Sequence, residues 1–275
     1  MSIEKNVASY YTRGHLDESI DRALAQVGKD LASLTHDDLS ALDEFHAGGR
    51  EATEGLAAHM ELRPGLRVLD VGSGIGGPAR YFAAEHGCQV TGIDLTEEFV
   101  RVSRSLTHRT KLDNAVEFLH GSALALPFEA PTFDRAYTIH VCMNIADKAG
   151  VFREVRRVLK PDGLFGIFDL MRTGEGPVRF PVPWALTEET SFVARVNDYR
   201  QALTAAGFHV SHERRRGAFA LEFMQRVMAR MAQGGPPALG LHLLMGEPTK
   251  VMLGNVFTMI QDGILEPVEL VARAV

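Results

Sequence analysis

Apolar residues recur at helical spacing through the first sixty positions and then give way to short β-rich runs. Leu16, Ile20, Leu24, Val27 and Leu31 share one face of a predicted helix over residues 16–31. A second helix opens at Thr35, whose hydroxyl pairs with Asp38 in a capping box, and runs through Leu39, Leu42 and Phe45. Gly48-Gly49 interrupts the pattern. A third helix over residues 51–60 closes at the Pro64-Gly65 turn.

From Arg67 onward, strand runs alternate with helical patterns. The strands are Val68-Leu69-Asp70-Val71, Gln89 to Asp94, Ala115 to Leu119, Arg135 to Ile139 and Leu164 to Phe168. Such alternation predicts a parallel sheet in an α/β fold. Between the fourth and fifth strands Val151, Phe152, Val155, Val158 and Leu159 mark the buried face of a helix that Pro161-Asp162-Gly163 ends. Residues 173–184, rich in Pro, Gly and aromatic side chains, read as a loop. A helix over 188–206, a strand over 208–210, a helix over 218–231 and a last strand near 269–272 complete the pattern.

Length and charge narrow the class. The 275 residues suffice for one large α/β domain, and 45% hydrophobic with 23% charged residues is ordinary for a globular chain. No apolar run is long enough to span a bilayer, and the N-terminus lacks the order of a secretory signal, so no membrane insertion and a cytoplasmic location are expected. A net charge of −6 argues against nucleic acid as a partner. Arg214-Arg215-Arg216 is expected to be a solvated edge, and Asp147 and Lys148 are expected to be solvated too. Cys88 and Cys142 have no pairing or zinc-site spacing, so no metal is expected.

The chemistry concentrates in Val68 to Pro78, a strand entering a glycine turn and then a helix. Gly72, Gly74 and Gly77 satisfy the dinucleotide pattern G-x-G-x-x-G, so an NAD(P)-dependent oxidoreductase is one reading. Asp70 weakens it: a carboxylate two residues before the first glycine, without a nearby Lys or Arg in the turn, repels a pyrophosphate. S-adenosylmethionine carries no phosphate, and its ammonium suits Asp70 while loop N–H groups suit its carboxylate. Asp94, ending the next strand, is placed to accept both ribose hydroxyls of either cofactor.

The ordered set VLDVGSGIGGPAR, VTGIDLT, GSALALPF, FDRAYTIHVCMNI and REVRRVLKPDGLFGIFD resembles class I S-adenosylmethionine-dependent methyltransferases. Within them it is similar to the small-molecule branch of sarcosine/dimethylglycine, phosphoethanolamine, tocopherol and quinone methyltransferases. The resemblance is close over residues 62–172. It implies a doubly wound, Rossmann-like seven-stranded sheet with a reversed last strand, a helical N-terminal cap (1–61) and lid insertions, with 173–275 carrying the lid and the C-terminal half of a single domain. It assigns Asp70, Gly72, Ser73, Gly74 and Gly76 to the methionine part of the cofactor, Asp94 and Leu95 to ribose and adenine, and Ser122 with Ala123 to the adenine edge. One departure stands out: the family usually has Asp where this chain has Ser122.

The implied reaction is in-line methyl transfer to a small acceptor of amine, phenol or natural-product type, by a monomer or homodimer. A non-catalytic S-adenosylmethionine-binding protein is a third reading. His140, after the fourth strand, is the first candidate for a general base, with substrate hydrogen bonding, cofactor contact and a structural role as alternatives. His46 is the second. Tyr11, with Tyr10, resembles an aromatic cover over the cofactor. Met143, Phe180 and Trp184 are candidate substrate walls. Leu221, Met224, Met228 and Met231, at helical spacing, form either a core face or a pliable apolar wall.

Overall fold

The computed structural model describes residues 2–235 and 237–275. Among the described residues seven strands form one sheet: β1 (Arg67–Val71), β2 (Gln89–Asp94), β3 (Val116–His120), β4 (Phe133–Ile139), β5 (Leu159–Arg172), β6 (Phe208–Arg215) and β7 (Leu265–Ala274). Their order is β3-β2-β1-β4-β5-β7-β6. The first five run parallel, and β7 pairs antiparallel with both β5 and β6. This is the doubly wound sheet with a reversed last strand that the resemblance implies. The chain reverses winding direction between β1 and β4, which opens a crevice beyond their carboxyl ends.

Alternate side chains on each strand serve opposite layers, so the strands are apolar nearly throughout. Leu69, Ala136, Phe165 and Ile167 pack against α7 (Lys148–Val158) and α8 (Val196–Ala205) through Phe152, Val155 and Tyr199. Val68, Tyr137, Leu164 and Phe168 pack against α4 (Gly49–Ala57) and α5 (Gly77–His86) through Leu56 and Phe82. A third cluster joins α2 (Leu16–Gln26) and α3 (His36–Asp43) to α6 (Glu97–Arg109), through Leu16, Ile20, Leu39, Phe99 and Leu106. No helix of the described residues is long and apolar enough to cross a membrane.

Several elements differ from the sequence pattern. The helix expected over 16–31 stops at Gln26, because Gly28 takes a left-handed backbone (φ +73°) and Val27 is left exposed. Ahead of it lies an unforeseen α1 (Ile3–Tyr11), whose buried side is only Val7. The helix expected over 51–60 begins earlier, at Gly49. The helix over 188–206 begins only at Val196, where Asp198 bonds back to the Arg195 N–H; before it there is one 3-10 turn, Glu188–Thr190. Between β6 and β7 lie α9 (Gly217–Gly234), α10 (His242–Met245) and α11 (Thr249–Gln261), and the last two were not foreseen.

The arginine run is not merely a solvated edge. Arg214 and Arg216 both reach the fully buried Glu269 on β7, at 2.8 and 3.3 Å, while Arg215 pairs with Glu266 at the surface. Lys148 is likewise buried rather than solvated, its ammonium donating to the carbonyls of Phe192 and Ile145.

Candidate functional site

The site is built from the turn that follows β1. The N–H groups of Gly72 and Ser73 both donate to the carbonyl of Ile93 on β2, which ties the turn to the neighbouring strand end. Gly72 has φ +77°, and a Cβ there would meet Val141 at 2.3 Å, so only glycine fits. A Cβ on Gly74 would instead point into open space, the side from which a ligand can approach. Gly74 N–H donates to Asp94 Oδ2 and Thr96 N–H to Oδ1, both at 2.8 Å, which orients the Asp94 carboxylate at the end of β2. Burial nevertheless raises its pKa.

Asp70 sits inside β1 beneath the turn, almost wholly buried, and its Oδ2 has no hydrogen-bond partner among the described residues. Burial pushes its pKa up to about 8, opposed by the Tyr137 side chain and reinforced by the Asp94 and Glu44 carboxylates. The buried Ser73 hydroxyl is also unpartnered. Unsatisfied buried polar atoms facing a cleft are what a polar ligand would satisfy.

The carboxyl ends of β1, β2 and β4 open into a cleft of about 1960 Å³. Asp70, Gly72, Ser73, Gly74, Asp94, Leu95, Ser122, Ala123, Tyr11, His46, His140, Met143 and Trp184 all line it. Gly76 and Phe180 do not. Gly76 caps α5 with a left-handed backbone instead, and Phe180 packs behind the wall against the cluster of Val182, Trp184 and Ile264. The Tyr11 hydroxyl donates to Asn144 Oδ1 at 2.9 Å, and the Asn144 amide donates to the carbonyls of Trp184 and Thr190. This chain of bonds joins α1, the turn after β4 and the 173–195 segment into one wall.

Phe223, Met224, Val227, Met228 and Met231 of α9 and Leu253, Val256 and Phe257 of α11 line the same cleft. Met224, Met228 and Met231 of the stripe are therefore an apolar wall of the cleft, while Leu221 packs against the buried cluster around Ala220 and Val256. At Met228 and Met231, 47% and 41% exposed, the stripe is not a core face.

At the inner end the two candidate histidines face each other, ring centroids 5.9 Å apart. His140 has φ +55°, donates its N–H to the Phe168 carbonyl and stacks on the Phe168 ring. Burial, and secondarily His46, holds its pKa well below the ordinary imidazole value, so it stays neutral. His46 has a partner that the sequence did not suggest. Its Nε2 lies 2.9 Å from Glu44 Oε2, and Thr53 Oγ1 and Arg50 Nε also donate to that carboxylate. Glu44 is held ionised despite burial by His46, Arg50 and Thr53. His46 Nδ1, buried, has no partner among the described residues.

Arg80 was also missed. Fully buried, it reaches Asp43 Oδ2 at 2.8 Å and the Ile75 carbonyl of the glycine turn at 2.7 Å. Away from the cleft, His59, His212 and Glu269 bring three ligand-type atoms together. The two imidazoles are stacked, 4.0 Å apart and 18° from parallel, so their in-plane lone pairs cannot converge on one ion. Arg214 and Arg216 already neutralise the carboxylate.

Residues 69–167 match the family described as a methyltransferase domain. The chain is 31% identical over 165 residues to a sterol 24-C-methyltransferase of Gibberella zeae, covering 57% of this chain and 43% of that protein. It spans less than half the length of the first curated relatives it matches. A geranyl diphosphate C-methyltransferase of Streptomyces coelicolor A3(2), solved with Mg2+, geranyl-S-thiolodiphosphate and S-adenosyl-L-homocysteine, superposes with TM-score 0.73 at 15% identity over 100% of this chain and 99% of that one. The [4+2]-cyclase SpnF superposes with TM-score 0.67 at 22% identity, covering 96% of each chain. The fold thus also serves a protein named for a different reaction. Motif order, sheet topology and the family match agree: residues 69–167 match a methyltransferase domain, and the chain has the fold of solved methyltransferases such as a phosphoethanolamine N-methyltransferase of Haemonchus contortus in complex with S-adenosyl-L-methionine.

Proposed function

We propose that this protein transfers the methyl group of S-adenosylmethionine to a small, largely apolar acceptor bearing one nucleophilic oxygen or nitrogen, such as a phenol or an amine. The observation that carries the reading is the unpartnered Asp70 Oδ2 beneath a glycine turn, with the oriented Asp94 beside it, in a cleft that continues under an apolar lid. When bound, S-adenosylmethionine supplies an electrophilic methyl group, so the chain needs no nucleophile of its own. Asp70 receives the ammonium, Ser73 and the turn the carboxylate, and Asp94 the ribose hydroxyls.

What remains for the protein is to hold the acceptor in line and take its proton. Orientation of this kind is worth about 7–11 kcal/mol in favourable cases. Its apolar body lies against Met143, Trp184 and the lid, and its nucleophilic atom meets His46 and His140. His46 takes the proton. Glu44 fixes its Nε2 as the protonated nitrogen, leaving Nδ1 as the free base. His140, kept neutral by burial, orients the acceptor by a hydrogen bond. This reverses the order of the two histidines expected from the sequence. We read the enzyme further as a cytoplasmic monomer or homodimer acting without nucleic acid; its net charge of −6 supports the last of these.

Titration of the purified protein with S-adenosylhomocysteine and with NADPH tests the cofactor, and a panel of phenols, amines, thiols and carbon nucleophiles, read by mass spectrometry for a gained methyl group, tests the reaction. Binding of the first ligand alone, with methylation of a phenol or amine, is expected. Tight NADPH binding without response to S-adenosylhomocysteine would overturn the proposal. Binding without transfer to any acceptor would favour a non-catalytic role.

A further inference from the structure

We infer that Glu4 on the N-terminal helix recognises the exocyclic amino group of the cofactor's purine, with Ser122 as the residue that positions it. This rests on the cofactor reading above. Glu4, Val7 and Tyr11 lie on one face of α1, and all three line the cleft. Tyr11 is anchored through Asn144, and Glu4 is anchored at the other end of the helix, where Ser122 Oγ donates a hydrogen bond to Glu4 Oε1. That hydroxyl accepts in turn from Leu124 N–H at 3.0 Å, which leaves its proton directed at Glu4. Glu4 Oε2 makes no hydrogen bond among the described residues.

The position fits a base edge. Asp94 is paired in register with His120, and Gly121 N–H donates to the Asp94 carbonyl, so Ser122 lies one strand outward from the ribose-binding carboxylate. Leu95, Ala123 and Leu124, adjacent to them in the chain, line the same cleft and offer apolar walls for a flat ring. A planar base placed there by a ribose on Asp94 needs an acceptor for its amino group. Asp147, the other carboxylate at this end, is already committed: it caps α7 at Gly150 and faces Arg153. A carboxylate only accepts hydrogen bonds. It therefore favours adenine and repels a hypoxanthine ring, which presents a carbonyl oxygen at the same place.

The test measures equilibrium binding of S-adenosylhomocysteine and its deaminated analogue S-inosylhomocysteine to the native chain, Glu4→Gln and Ser122→Ala by calorimetry. The native chain is expected to prefer the adenine ligand by about tenfold or more, the range of a hydrogen bond to a charged group. In Glu4→Gln the amide can turn its NH2 toward the carbonyl, so the preference narrows to about threefold or less. Ser122→Ala, which loosens Glu4 without removing it, falls between. A Glu4→Gln ratio equal to the native one, including a parallel loss of both affinities, would overturn the proposal and leave the cofactor assignment standing. A native chain that binds neither ligand would overturn both.

Discussion

Asp70 shows how one residue can be legible in sequence and still be set by its surroundings. Its place before the glycines marks it as an ammonium partner, but burial, reinforced by the Asp94 and Glu44 carboxylates, makes it titrate near pH 8. The unliganded carboxyl holds its proton in the folded chain at pH 7 and loses it in the unfolded chain. Its contribution therefore lowers the stability of the free protein as pH rises from about 4 toward 8. A cationic ligand needs the ionised form. Affinity for S-adenosylhomocysteine should therefore rise between pH 6 and 8 with release of about one proton per binding event, read by calorimetry in buffers of different ionisation enthalpy. Asp70→Asn should bind more weakly and release no such proton. The roles of His46 and His140 separate by kinetics. His46→Gln should lower kcat by about 10²–10⁴-fold with little change in S-adenosylhomocysteine affinity, whereas an unchanged kcat would remove it as the base. Glu44 was not legible, because an acid in the run Asp43-Glu44 looks like any helix end until Thr53 and Arg50 close on it.

At the scale of elements, local signals succeeded where the reason was local. The capping box of Thr35 and Asp38 forms as its spacing predicts. The start of α8 failed because residues 191–195 are taken by tertiary bonds, including Phe192 N–H to the Met143 carbonyl and Arg172 N–H to the Ala194 carbonyl. α11 carries Met252, Val256, Met259 and Ile260 on one buried face, a periodicity present in the sequence but lacking a capping residue to mark its start. Arg80 joins three elements, since its guanidinium meets Asp43 at the end of α3, the glycine turn and Thr107 on α6. Replacing it by Met leaves the Asp43 carboxyl buried without its cation, at an expected cost of about 3–5 kcal/mol in chemical denaturation. Adding Asp43→Leu should recover a large part of that loss.

Over the whole molecule, the sheet supplies a rigid floor and segments distant in sequence supply the walls. Residues of α1, α9 and α11 all line the cleft, and the Tyr10 hydroxyl of α1 lies 3.8 Å from Met252 Sδ on α11. Met228 lies on α9, exposed and lining the cleft, far from the glycine turn in sequence. Met228→Glu should lower kcat/KM for an apolar acceptor by about tenfold or more, the cost of placing a charge against an apolar surface. Melting temperature and S-adenosylhomocysteine affinity should stay at native values, which separates an acceptor wall from a folding element.

The amino-acid sequence alone determined the alternation of strands and helices, the glycine turn and the two aspartates, because each depends on neighbours within a few residues or on a strand end whose place the alternation dictates. The charge pattern of Asp70 and the turn favoured S-adenosylmethionine over a dinucleotide, and resemblance added the strand reversal and methyl transfer. Tertiary structure alone decided which histidine has a buried carboxylate behind it, which arginines are neutralised by Glu269, that the methionine stripe faces a cleft, and that Glu4 meets Ser122. Those are contacts between segments far apart in the chain, and their partners are chosen by packing, burial and charge compensation, for which spacing along a single sequence carries no record.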